Sequence, residues 1–223
     1  MKLVDTTAEQ GLLESILEES KPPVPVEAKG YDYLLSTPFR YRSRHPSRFR
    51  KATSAFGIFY AAEESQTCLY EMIFYRMLFF AESPDTDFPS GPTQYSVFKV
   101  SIAAERAIDL TEVPLNEAAS DWLRPADYSA CQNLAEAGRA KGLQLIRYQS
   151  VREPSGKGKN VALLDPSCFI GSPTPVETWN IFLGPAGAQA IREMPKTSFD
   201  CPVEQFLEDP RTAKIVEKFS KKT

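Results

Sequence analysis

No run in the 223-residue sequence is apolar for long enough to cross a bilayer. The N-terminus, MKLVDTTAEQGLLESILEES, has acidic residues among its apolar positions and lacks the basic start, unbroken apolar core and cleavage site of a secretory signal. Cysteine is sparse. Cys68, Cys131, Cys168 and Cys201 are scattered with no CxxC pair, so they read as buried thiols rather than a disulfide framework, and no metal is expected. These absences point to a cytoplasmic chain without membrane contact. Charge of one sign is also missing: the formal net charge is −3 and the sequence pI about 5.4, which does not support a general attraction to nucleic acid or anionic membrane.

What is present is the composition of a folded soluble protein, 42% hydrophobic and 25% charged. Against its mildly acidic average, FRYRSRHPSRFRK (Phe39 to Lys51) concentrates five arginines, a lysine and the only histidine. Residues 7 to 20 place Leu12, Leu13, Ile16 and Leu17 at helical spacing, and the prolines of KPPVPVE then end the pattern. An N-terminal helix and stiff connector over residues 1–30 are therefore expected. YDYLLSTPFRY reads as a strand or extended segment, and AFGIFYAA as a short strand bounded by Gly57. Ser65 is placed to cap a helix over about Gln66 to Ala81, apolar on nearly every side and so expected to be buried.

Downstream, SPDTDFPSGPT reads as a loop, QYSVFKVSI as a strand, AIDLTEVP as a short strand, and YSACQNLAEAGRAKG as a helix closed by Gly142. LQLIRYQSVR, VALLDPSCFI and ETWNIFLG read as further strands, followed by two short helical pieces. Strands and helices mix without strict βαβ alternation, which predicts an α+β fold.

Three sets of residues carry candidate chemistry. Glu71 is the only acid between Glu64 and Glu82, and a carboxylate among apolar neighbours needs a partner. An ion pair with Arg76 or another arginine satisfies that need structurally. In the basic stretch, Arg42, Arg44, Arg50 and Lys51 read as a solvated loop. Arg40 and Arg48 stand between aromatic or turn residues that can hold a guanidinium inward, toward a phosphate. In RYQSVR, Tyr148, Ser150 and Arg152 share one strand face.

Taken in order, an arginine–tyrosine pair (Arg40, Tyr41), the Ser47-Arg48-Phe49 arginine, GIFYAA with Tyr60, the TxLxE helix ending in Glu71 and the YxSxR strand with Ser150 resemble the RES-domain family. The likeness covers roughly residues 31 to 185, with residues 31–223 as the RES domain plus a C-terminal helical extension. The eleven-residue step from Tyr60 to Glu71 adds specificity to motifs that are individually weak. One departure is that the family's usual GGRWN is here HPSRFRK, without its glycines and asparagine.

The resemblance implies an ADP-ribosyltransferase-like fold of mixed or antiparallel sheets with flanking helices, and a toxin-like enzyme with NAD as substrate. It implies Glu71, Arg48 and Tyr60 as catalytic residues, and Arg40, Tyr41, Arg48, Tyr60 and Ser150 as NAD-binding residues. The acceptor of ADP-ribose that the resemblance implies is inorganic phosphate or water, or alternatively a protein. A further alternative is a module that stacks single-stranded RNA bases on Phe39, Tyr41 and Phe49. The resemblance also implies a bacterial Xre-type antitoxin as partner, with a helix-turn-helix part through which DNA contact is indirect.

Overall fold

A computed structural model describes residues 6–41, 44–83 and 85–220. In chain order the helices and strands are α1 (Thr7–Glu19), α2 (Tyr33–Arg40), β1 (Phe59–Ala62), α3 (Ser65–Glu82), β2 (Thr93–Ile102), β3 (Ala107–Asp109), α4 (Ala119–Trp122) and α5 (Ser129–Arg139). There follow β4 (Leu145–Gln149), β5 (Lys159–Leu163), β6 (Phe169–Gly184), β7 (Gly187–Arg192), β8 (Thr197–Pro202) and α6 (Thr212–Ser220). The strands form two sheets of four, ordered β1-β5-β4-β3 and β2-β6-β7-β8, so the fold is α+β. Every pairing is antiparallel except β3 with β4.

The first sheet is apolar on both faces, and alternation along each strand assigns the layers. Phe59, Leu145, Val161 and Leu163 face one way and pack with Leu35 and Phe39 of α2 and with Phe169. Ile146, Tyr148 and Ala162 face the other way, onto Phe49, Ile58, Cys131 and Ala135. In the second sheet, Trp179, Ile181, Leu183 and Ala190 pack on Ile73, Phe74 and Met77 of α3, with Phe206 and Ile215 from the C-terminal segment. Each buried valine, leucine, isoleucine, phenylalanine or methionine among them contributes roughly 1.5–3 kcal/mol by burial. Helix α3 thus packs on the second sheet while sending Glu71 to the first.

Several expectations need correcting. YDYLLSTPFRY is not extended: Asp32 caps α2 by accepting from the Leu34 N–H at 2.8 Å, and Leu35 and Phe39, one turn apart, bury its inner face. Pro38 stands inside that helix, close to its end. Gly57 packs so tightly against α2 that a Cβ there would lie 1.9 Å from the Pro38 carbonyl oxygen.

Helix α3 begins after Glu64 with no side-chain cap, so Ser65 does not serve as one. Nor is α3 buried all round, since Tyr75 and Phe79 share an exposed stripe. VALLDPSCFI breaks into β5, a turn at Pro166–Cys168 and the start of β6. ETWNIFLG is the end of the 16-residue β6, and β7 and β8 precede the helical pieces that close the chain. The expected N-terminal helix is present as α1, with a capping box between Thr6 and Glu9, and buries none of its residues. Among the described residues, no helix is long and apolar enough to cross a membrane.

Candidate active site

The site is built on the face of the first sheet that carries Tyr60, Tyr148 and Asn160, the last two being direct cross-strand partners. Glu71 reaches it from the middle of α3. Its Oε1 accepts hydrogen bonds from Ser150 Oγ at 2.7 Å and Asn160 Nδ2 at 2.8 Å. Oε2 accepts none from the described residues. The ion pair with Arg76 does not form, because the Arg76 guanidinium lies over the rings of Phe79 and Phe80, 5.2 Å from each centroid.

Ser150 is just past the end of β4, where the chain turns. Its Oγ also accepts from the backbone N–H groups of Arg152 (3.2 Å) and Glu153 (3.3 Å), which directs its own hydrogen toward Glu71. Ser150 and Asn160 are 1% and 2% exposed, so they fix the carboxylate from the dry side.

Arg48 lies at the tip of a two-residue hairpin, closed by Ser47 N–H to Arg50 O (2.8 Å) and Arg50 N–H to Ser47 O (3.1 Å). Among the described residues no non-glycine adopts a positive φ, so this turn forms without the glycines of the family's usual loop. Phe49 plugs into the core, while Arg48 turns its guanidinium to the carbonyls of Trp122 (2.7 Å) and Arg124 (3.1 Å) and stacks 4.9 Å from the Tyr128 ring centroid. It is only 8% exposed, yet no carboxylate of the described residues lies within ion-pair distance. Burial works against its charge, but Tyr128, Cys131, Tyr148 and Glu71 together hold its pKa above the ordinary value.

Tyr60 locks the hairpin from below. Its hydroxyl hydrogen-bonds Ser47 Oγ at 2.8 Å and accepts from Phe49 N–H at 3.1 Å, while the residue stays 38% exposed. Burial of the hydroxyl raises its pKa, only partly offset by Ser47, so the phenol keeps its proton at neutral pH.

Of the predicted site residues, the structure brings Glu71, Ser150, Arg48 and Tyr60 to one face. Arg40 and Tyr41 stand elsewhere. Arg40 donates to Glu18 Oε1 (2.6 Å) and to the Pro22 carbonyl (2.5 Å), tying α2 to α1, and its guanidinium lies 5.9 Å from the Tyr41 ring. The basic stretch is less uniform than a solvated loop: Arg50 is buried and donates to His45 O, Lys51 pairs with Glu136 at 2.6 Å, and Arg44 is exposed. Arg42 lies outside the described residues. Phe39 and Phe49 are core residues with no ring face to offer a base, which leaves Tyr41, 38% exposed, as the one ring of the three that the RNA-binding reading can use.

Five supporting residues were not anticipated from sequence. Asn160 anchors Glu71. Arg211 donates to the Tyr128 hydroxyl at 2.8 Å, and Tyr128 meets the Tyr75 hydroxyl at 3.1 Å. Behind them Asp209, fully buried, accepts from Arg152 Nη2 (2.5 Å) and Arg211 Nη2 (2.7 Å), and both arginines also hold the Pro125 carbonyl. A buried polar side chain in an apolar strand was the one available signal for Asn160.

The arrangement offers a fixed carboxylate with a free oxygen, a buried cation lacking a carboxylate partner and an exposed aromatic ring. It suits a substrate with hydroxyls, phosphates and a flat heterocycle. Residues 24–183 match the family model described as the RES domain. The chain belongs to the RES-domain family. Membership is consistent with an NAD-acting enzyme of a toxin family. No curated protein matches the chain. Asp209 and Arg211 lie beyond the RES match and still reach the Tyr128 side of the site. A cavity of about 460 Å3 opens instead on the second sheet, lined by Gln94, Glu177, Asn180 and Glu193 among others, and contains none of the predicted residues. Among the described residues, no three histidines, cysteines or acids gather as a metal site.

Proposed function

We propose that this RES-domain chain degrades NAD, cleaving the nicotinamide–ribose bond and transferring ADP-ribose to inorganic phosphate. The supporting observation is Glu71, anchored through Oε1 by Ser150 and Asn160 and leaving Oε2 free within electrostatic range of Arg48. In NAD the electron pair of the breaking C–N bond stays on the pyridinium nitrogen, so nicotinamide leaves neutral and needs no general acid. This differs from ordinary glycoside cleavage with its two carboxylates. The ribose is left with oxocarbenium character, and a phosphate oxygen then bonds to its anomeric carbon.

Glu71 Oε2 accepts from the ribose hydroxyls and stabilises that positive charge, an electrostatic role for a preorganised carboxylate. Ser150 and Asn160 orient it. Arg48 takes the phosphate oxygens, and the exposed Tyr60 ring stacks on nicotinamide. Because Arg40 is engaged by Glu18 and Pro22, we assign the phosphate contact to Arg48 rather than to the pair. An Xre-type antitoxin that covers the cleft and carries the DNA contact completes the proposal.

Incubating the purified chain with NAD, with and without phosphate, tests it. Nicotinamide with ADP-ribose 1-phosphate is expected in phosphate, and free ADP-ribose without it. Intact NAD in both samples refutes the reading, and ADP-ribose found on protein moves it to the transferase alternative.

A further inference from the structure

Tyr148 is a buried group that the reading above does not use. It stands on β4 between Arg147 and Gln149, opposite Asn160 and on the same face as Tyr60. Its ring is fixed edge-on against Phe49 at 4.8 Å, and the residue is only 7% exposed. Its hydroxyl makes no hydrogen bond with the described residues and is not among the buried atoms left without a partner, so its oxygen is open to a bound group.

Its position belongs to the site: Phe49, on which its ring packs, follows Arg48 in the hairpin, Asn160 opposite it holds Glu71, and Tyr60 shares its sheet face. Burial, and then the charge of Glu71, push its pKa well above the ordinary phenol value, so it serves as a proton-bearing donor. Glu71 already receives Ser150 and Asn160 on Oε1. Arg48, with no carboxylate of its own, is the neighbour that calls for an anion.

We propose that the Tyr148 hydroxyl donates a hydrogen bond to a phosphate oxygen held by Arg48, completing a two-donor anion site opposite the hydroxyl-accepting Glu71. The inference rests on the proposed NAD reaction for its substrate. Phosphate oxygens come from two sources, the NAD pyrophosphate and the inorganic phosphate acceptor, and kinetics separates them.

The test is Tyr148→Phe in the full chain, which removes one oxygen and keeps the ring. Nicotinamide release is measured against NAD at saturating phosphate, and against phosphate at saturating NAD. A hydrogen bond to a charged group predicts a loss of about tenfold to a hundredfold in kcat/KM. A loss in the NAD series alone assigns the pyrophosphate; a loss in the phosphate series assigns the acceptor. The melting temperature should stay within a few degrees of wild type, because the hydroxyl makes no bond within the fold that the variant would lose. Unchanged kinetics in both series overturns the proposal, as does a melting temperature lowered by several degrees, which would mean the hydroxyl is bonded within the fold. A wild type that releases no nicotinamide defeats the functional reading instead. The melting shift produced by ADP-ribose then tests Tyr148: a larger shift in wild type than in the variant supports it, and equal shifts overturn it.

Discussion

Asp209→Asn removes one charge from the centre of the buried Arg152–Asp209–Arg211 network while keeping the side-chain shape. Asp209 is fully buried and receives Arg152 Nη2, Arg211 Nη2 and Nε, and the Arg211 backbone N–H. Arg211 is partly exposed and can be rehydrated. Arg152, 2% exposed along its side chain and 3.8 Å from the Phe74 ring centroid, cannot. Its uncompensated charge should cost about 3–5 kcal/mol, the usual cost of breaking a buried pair from one side. At roughly 2–4 °C per kcal/mol for a chain of this size, the melting temperature should fall by about 6–20 °C. Thermal and urea unfolding of wild type and variant provide the assay. Adding Arg152→Met to the variant should restore much of the loss, since the stranded charge is then gone. Burial pushes the Asp209 pKa up, but the Arg211 hydrogen bonds and the Arg152 charge more than offset this and hold it below the ordinary value. Its contribution is therefore complete above about pH 4 and is lost as pH falls through the lower folded value. The asparagine variant should lack that part of the acid sensitivity. A variant within about 1 kcal/mol of wild type, with no recovery in the double variant, would refute this account of the network.

Other outcomes follow from single contacts. Gly57→Ala should destabilise by about 1–3 kcal/mol in urea melts, because its Cβ would meet the Pro38 carbonyl at 1.9 Å and backbone must move. Arg48→Lys should lower NAD turnover about tenfold to a hundredfold, since lysine loses the planar guanidinium that stacks on Tyr128 and keeps further N–H donors beside the Nη1 that holds the Trp122 and Arg124 carbonyls; the exposed Arg44→Lys should match wild type. Asp127, held at a pKa of about 2 by the Ser129 backbone and hydroxyl and by Arg124, contributes stability above about pH 4 that is lost as pH falls toward 2. Asp127→Ala should show less acid destabilisation than wild type over that interval in melts at successive pH values.

What was legible in the sequence depended on local signals. β1, β2 and β4 carry short apolar patterns, and α3 carries an apolar run with one acid, so Glu71 stood out before any partner was known. Ser150 stood out through its neighbours in YxSxR. α2 was hidden because Pro38 and the aromatic residues read as extended, whereas the Asp32 cap and the burial of Leu35 and Phe39 decide the conformation. β7 and β8 were missed because outward positions of the second sheet are exposed and the turn between β6 and β7 depends on Gly187 at φ +134°, a backbone state that composition does not announce. The tie of Arg40 to α1 was hidden by distance along the chain: Glu18, its carboxylate partner, lies twenty-two residues away on a helix that buries none of its residues. The same distance effect concealed Arg211, which meets Tyr128 across eighty-three residues.

The central claim is that one fixed carboxylate cleaves NAD, and Glu71→Gln tests it most directly. Glutamine can keep Oε1 as an acceptor for Ser150 and Asn160, so the fold should melt within a few degrees of wild type while the negative charge is lost. Nicotinamide release from NAD, followed for both proteins in phosphate, should fall at least about a hundredfold in the variant, in line with the loss of one preorganised electrostatic group. A glutamine variant that folds normally and releases nicotinamide at the wild-type rate would contradict the account.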